Sequence, residues 1–303
     1  MVKVTNKALK KLYSEKQAFI NGSLSKFDKG LRKLQENLFD LIITEYLPQF
    51  TVKDGVILLN EKNARLLNEL DNLLLTFKET QADSLFSTLG RDMLKNTEYL
   101  SNYFRAFNSK KTVLNISNKL DKLSSFIGID SKGQLIEGSY LNNLALTPEL
   151  KANLSQYFRN AIESKSDYKS FLKLIKDTVK GNAEADGVLQ RYVETKAHDA
   201  FFAQSQMQEN FFAQELELTY FVYEGTEIKT TREFCSERVN NVYSREDAEE
   251  WNTMDWAGKI PDVDFFIQRG GYNCRHFIRW IPEDVAAEIQ PEIFNQEQEQ
   301  ESE

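Results

Sequence analysis

The sequence predicts a mainly α-helical chain with a small C-terminal α+β module, in which a helical N-terminal region and a long helix lead into a compact unit of two or three strands. Three observations carry this. Prolines are scarce, 5 in 303 residues, and Pro261, Pro282 and Pro291 lie in the last fifth of the chain. Apolar residues recur at helical steps as far as about residue 216. Beyond it, "LELTYFVYEG" changes to aromatic and β-branched residues bounded by glycine, the composition of a strand.

Leu24, Phe27, Leu31, Leu34, Leu38 and Leu41 follow one another at steps of three and four, which is one helical face, and Pro48 ends it. "TVKDGVILL" places an Asp-Gly turn between β-branched residues and predicts a short hairpin. Asn60 then caps a helix that carries Leu66, Leu67, Leu70, Leu73, Leu74 and Phe77, and two further helices are expected near 81–107 and 111–127. The glycine-bearing stretch 128–139 is an internal boundary. Thr147-Pro148-Glu149 opens a helix to about Ser164, Asp167 caps the next, and residues 187–216 are helical with a surface rich in glutamine. After the strand, Ser244 to Asp247 forms a capping pattern for a short helix, 256–266 is a connector, and Pro282 starts a last helix. The chain divides on this basis into a basic N-terminal arm (1–33), a helical domain (34–187), the α+β module (188–288) and an acidic tail expected to be disordered (289–303).

A hydrophobic content of 41% is enough to bury a core, and no apolar run approaches the roughly 18 residues a membrane span needs. Two cysteines are too few for a disulfide framework, and the first residues lack the apolar stretch of a signal peptide, so the expectation is a soluble protein made in a reducing cytoplasm. The net charge of -8 is uneven. Lys3, Lys7, Lys10, Lys11, Lys16, Lys26, Lys29, Arg32 and Lys33 face only Glu15 and Asp28 in the first 33 residues. A basic arm on an acidic body suits contact with nucleic acid or an acidic protein surface, and it suits equally a solvated face of an amphipathic helix.

"GGYNCRHFIRW" (270–280) holds one of 2 cysteines and one of 2 histidines. On a strand, Cys274, His276, Ile278 and Trp280 share a face, so the thiol and imidazole point the same way. With Cys235 folded back onto them they would offer three zinc ligands, and an acid or the distant His198 would have to supply the fourth. The same residues suit a buried thiol and a hydrogen-bonded imidazole in a core. A Cys235–Cys274 disulfide is a further option, disfavoured during assembly in a reducing cytoplasm and open only later, outside the cell. A thiol–imidazole dyad can be written down, but no nucleophile motif, phosphate loop or paired-histidine motif accompanies it, and the chain is read as non-enzymatic and without a required cofactor.

Three segments in order, "YVETKAHDAFFAQSQ", "YFVYEGTEIKTTREFCSERVNNVYSREDAEEW" and "GGYNCRHFIRWIPEDV", resemble the phage head morphogenesis family, minor head proteins similar to the F protein of phage Mu. The matching positions are Glu194, Thr195, Thr231, Arg232, Cys235, Asn240 to Tyr243, Asn273, Cys274 and Arg275, and the resemblance covers about 188–285. It departs from the fuller family pattern where Arg238 replaces a second cysteine, Gly271 and Tyr272 replace His-Pro, and His276 replaces a last cysteine. The resemblance implies a virion protein made late in infection in the host cytoplasm: a minor capsid protein at the portal vertex or capsid interior that contacts portal or major capsid protein, and packaged double-stranded DNA through the basic residues, with roles in capsid assembly and DNA packaging or ejection. The rival reading is a nucleic-acid-processing or toxin-like enzyme that uses Cys274 and His276.

Overall fold

The computed structural model describes residues 4–122, 128–130, 132, 134–164 and 167–293. The chain is mainly helical, with five short strands in two small antiparallel sheets among the described residues. In order it runs α1 (Asn6–Leu41), β1 (Val52–Lys53), β2 (Val56–Ile57), α2 (Glu61–Phe77), α3 (Asp83–Phe104), α4 (Lys110–Lys122), α5 (Tyr140–Leu144), α6 (Pro148–Glu163), α7 (Tyr168–Val179), α8 (Thr195–Glu215), β3 (Tyr220–Glu224), α9 (Glu233–Ser236), β4 (Val242–Ser244), α10 (Arg245–Glu249), α11 (Phe265–Gln268), β5 (Phe277–Ile281) and α12 (Glu283–Ile289). Wide, π-helical turns at 42–46, 78–82 and 190–194 join α1, α2 and α8 to their neighbours. No helix among the described residues is long and apolar enough to cross a membrane.

Local chemistry sets the helix starts. Asn60, Thr147, Asp167 and Ser244 each accept a hydrogen bond from the backbone N–H three residues on, which satisfies one of the donors a helix start leaves free. The hairpin forms as expected, with Asp54 and Gly55 both at positive φ in the turn between β1 and β2.

Two compact units emerge. One holds 22–91 and 125–197, the other 1–21, 92–124 and 198–303. These units do not follow the contiguous bounds at 33, 187 and 288: the first turns of α1, with Leu9 and Tyr13, and the end of α3 through α4 share a core with the C-terminal strands. The N-terminal stretch is also no arm, since α1 begins at Asn6 and buries Leu9, Tyr13 and Ile20. At the other end, Ile289 closes α12 and packs on the core together with Ile293, so the expected tail does not begin at 289; residues 294–303 lie outside the described residues. In the unit of 22–91 and 125–197, Tyr46, Phe50, Phe158 and Phe171 form a chain of ring contacts, and Tyr46 donates to the Leu66 carbonyl.

In the other unit the strand order is β4-β3-β5, all antiparallel. Register places Phe221 beside Trp280 and Tyr223 beside Ile278 on one face, and Val222 beside Arg279 and Glu224 beside Phe277 on the other. Both faces are covered. Phe221 meets Trp251, Phe265, Phe266 and Trp280, while Tyr13 and Tyr103 donate to the Ile278 and Trp280 carbonyls from α1 and α3. This double burial explains why β3 is an unbroken apolar run instead of an alternating one.

The glutamine-rich stretch of α8, expected as surface, is buried. Ser205, Gln206, Gln208 and Glu209 are each at most 3% exposed. Gln208 accepts from Asn96 and donates to Thr97, and Gln206 accepts from the Ile278 amide, so each polar group finds a partner inside the unit. Glu209 pairs with Lys16, which is fully buried. Burial pushes the Glu209 carboxyl up and the Lys16 ammonium down from their ordinary values, against the attraction between them.

Candidate thiol–imidazole site

β3 stops pairing at Glu224, opposite Phe277, and the chain then leaves the sheet through Gly225. β5 accordingly starts at Phe277, so Cys274 and His276 precede the strand and do not share its face by alternation. The reason lies in the preceding turn. Arg269, Gly271 and Asn273 all have positive φ, which coils the backbone and delays pairing until Phe277.

The turn nevertheless brings the predicted residues together. The Sγ atoms of Cys235 and Cys274 and a ring nitrogen of His276 lie within 4.8 Å of one another, and all three residues are buried. Cys235 arrives on the short helix α9, and Cys274 Sγ lies 3.6 Å from His276 Nδ1. Both cysteines are free thiols. The Tyr223 hydroxyl sits between them, 3.4 Å from Cys235 Sγ and 3.7 Å from Cys274 Sγ. Its ring stacks on the His276 imidazole at 5.4 Å.

Two glycines make room for this arrangement. A Cβ on Gly270 would lie 2.2 Å from Cys235 Sγ and 3.0 Å from Cys274 Sγ, and one on Gly225 would lie 2.3 Å from the His276 ring. Arg232 ties the two motif segments to each other by donating to the Gly270 carbonyl at 3.3 Å and the Tyr272 carbonyl at 2.5 Å. Buried Arg269 donates to the His276 carbonyl and lies over the Phe202 ring. On the solvent side, Cys235, Cys274 and His276 line a cavity of about 600 Å³ walled by Thr226, Thr230, Thr231, Arg232, Asn273 and Arg275.

Electrostatics separate the two thiols. The hydrogen bond from Cys235, together with His276 and the Arg269 guanidinium, holds Cys274 well below the ordinary thiol range despite its burial. Hydrogen bonding with Cys274, then burial, pushes Cys235 up. Burial and the two neighbouring sulfurs push the Tyr223 phenol far up, so it stays protonated and can donate to a sulfur.

A structural zinc is closed by four donors. Cys235, Cys274 and His276 supply three, and no other cysteine, histidine, aspartate or glutamate among the described residues joins their group; His198 lies elsewhere on α8. Arg238, which follows Cys235 by three residues, offers no further sulfur and lays its guanidinium over Phe234 and Trp251 at 4.1 and 4.8 Å. Among the described residues the donor set is one short of a closed site.

No protein-family model, curated protein or solved structure matches the chain.

The basic residues divide. Lys7, Lys10, Lys11, Lys26, Lys29, Arg32 and Lys33 are exposed on α1, and Lys3 lies outside the described residues. Lys16 is corrected from a DNA or partner contact to a core residue, because its ammonium is enclosed by Glu209 and the Tyr13 ring. Of the residues that build the site, the sequence points to Gly270 only as a turn residue and does not single out Tyr223, Arg269 or Gly225. Only the glycines gave a local sign, since each follows or interrupts an apolar run.

Proposed function

We propose that this protein is a non-enzymatic structural and assembly component of a phage head, a minor head protein at the portal vertex or capsid interior. The observation that carries the reading is the closure of two separated motif segments on each other. Arg232 and Cys235 of the first meet the 270–274 turn of the second: Arg232, Cys235 and Cys274 are among the positions that resemble the head morphogenesis family, and Arg232 reaches the backbone carbonyls of Gly270 and Tyr272 between them. A family-like module held by backbone-directed arginine bonds, buried aromatics and paired thiols needs no turnover to explain its residues.

Co-expression with the portal and major capsid proteins of the same phage tests this. The protein is expected to co-sediment with procapsids and to cross-link to portal or inner shell. Portal-free heads that carry a full complement of it would place it elsewhere, and its absence from heads would remove the reading.

Contact with packaged DNA is the second part of the proposal. Each phosphate contact contributes about 0.9 to the slope of log affinity against log salt. Changing Lys7, Lys10 and Lys11 to Gln is expected to reduce that slope by up to about 3, and changing Lys26, Lys29, Arg32 and Lys33 tests the other unit separately. An unchanged slope in both variants would exclude α1 as the contact.

A thiol enzyme is the second reading, favoured by the 3.6 Å approach of Cys274 to His276 beside a cavity. His276→Ala separates the two. Lost turnover in a folded variant supports the enzyme, and lost solubility supports the structural role.

A further inference from the structure

We propose that Cys235 and Cys274 are a redox pair, in which a hydroperoxide oxidises Cys274 and Cys235 resolves the product into a reversible disulfide within the chain. The inference goes beyond the assembly reading and does not depend on it. Four observations converge on it. The two free sulfurs lie within 4.8 Å of each other and share the Tyr223 hydroxyl, although 38 residues separate them in sequence. Gly270 keeps a Cβ away from the two sulfurs, where one would lie 2.2 Å from Cys235 Sγ and 3.0 Å from Cys274 Sγ. Both cysteines line a cavity of about 600 Å³, wide enough to admit a hydroperoxide. His276 Nδ1 is within hydrogen-bond reach of the Cys274 sulfur, at 3.6 Å, which assigns Cys274 the attacking role.

The chemistry balances without a metal. Cys274 gives its proton to His276 Nδ1, and its sulfur attacks the nearer peroxide oxygen. The O–O bond breaks, the sulfur is oxidised to a sulfenic acid, and the peroxide is reduced to water, or to an alcohol from an organic peroxide, which takes up the proton. The Cys235 sulfur then attacks the Cys274 sulfur, the S–O bond breaks, and a second water leaves with the Cys235 proton. A dithiol then reduces the disulfide by thiol–disulfide exchange, is itself oxidised to a disulfide, and restores both thiols. The disulfide would staple α9 to the turn that feeds β5, the same two segments Arg232 joins by hydrogen bonds.

The test treats the folded full-length protein with dilute hydrogen peroxide and reads intact mass, with and without dithiothreitol. Wild-type protein is expected to lose two hydrogens as a monomer, to gain several degrees in Tm from the closed loop, and to recover its mass on reduction. Cys235→Ser is expected to gain one oxygen at Cys274, trapped by dimedone, and Cys274→Ser to form neither product at the wild-type rate. Wild-type protein that keeps both thiols after peroxide, or that links only between chains, overturns the pair, and this measurement needs no substitution to fold. Cys274→Ser reacting at Cys235 as fast as wild type overturns the assignment of the attacking thiol.

Discussion

Glu209→Ala is expected to destabilise the unit of 1–21, 92–124 and 198–303 by about 3–5 kcal/mol, the cost of leaving one member of a buried ion pair without its partner. Lys16 is fully buried, so its ammonium cannot turn to water when the carboxylate is lost. The Tyr13 hydroxyl, Ser205 and Gln206 also direct hydrogen bonds to Glu209 and would lose their acceptor. All three tryptophans, Trp251, Trp256 and Trp280, belong to this unit, so their fluorescence during urea unfolding reports on it directly. Lys16→Met with Glu209→Leu should recover most of the loss, because apolar residues of similar volume avoid the desolvation of two charges. A single variant with an unshifted urea midpoint would mean the carboxylate is not ionised in the folded state.

Phe221→Ala is expected to cost about 3–5 kcal/mol in the same unit. Its ring is fully buried on the central strand and touches five others, with centroids from 5.2 Å (Trp280) to 6.4 Å (Phe265). Removing it opens a cavity bounded by rigid rings that cannot collapse inward, which is the case where truncation costs most. Phe221→Leu keeps much of the volume and should cost under about 1.5 kcal/mol. Equal losses in both variants would show that the site is limited by ring geometry instead of by volume.

Elements governed by neighbours in sequence were legible. Asn60, Thr147, Asp167 and Ser244 cap helices because each oxygen reaches an N–H three residues away, and Asp54-Gly55 turns the hairpin through its own backbone freedom. Cys235 could be named as a third partner only if its loop folded back, and the three residues do meet, though by the 269–273 turn and not by strand alternation. What escaped depends on distant partners. Lys16 looked like one more solvated lysine because Glu209 lies 193 positions away. The glutamines of α8 looked like surface for the same reason, since Asn96, Thr97 and the β5 backbone complete their hydrogen bonds. The start of β5 was placed too early because alternation in "NCRHFIRW" continues through a stretch whose backbone, at Asn273, is still in a left-handed turn.

The wide turn at 78–82 bears on how this chain can vary in length. Along α2 and into α3 the buried residues Leu66, Leu70, Leu74 and Phe77 are spaced by three or four, as are Ala82, Phe86 and Leu89, but Phe77 and Ala82 are five apart. An added residue in a regular helix rotates everything beyond it by about 100° and would swing such a stripe out of the core. The wide turn absorbs that rotation, so the helix carries one residue more than its stripe requires. A chain shortened by one residue between Lys78 and Gln81 would bring Phe77 and the alanine to a four-residue spacing and close into unbroken α-helix. Insertion and deletion, ordinarily confined to loops, are at this place compatible with a helix interior.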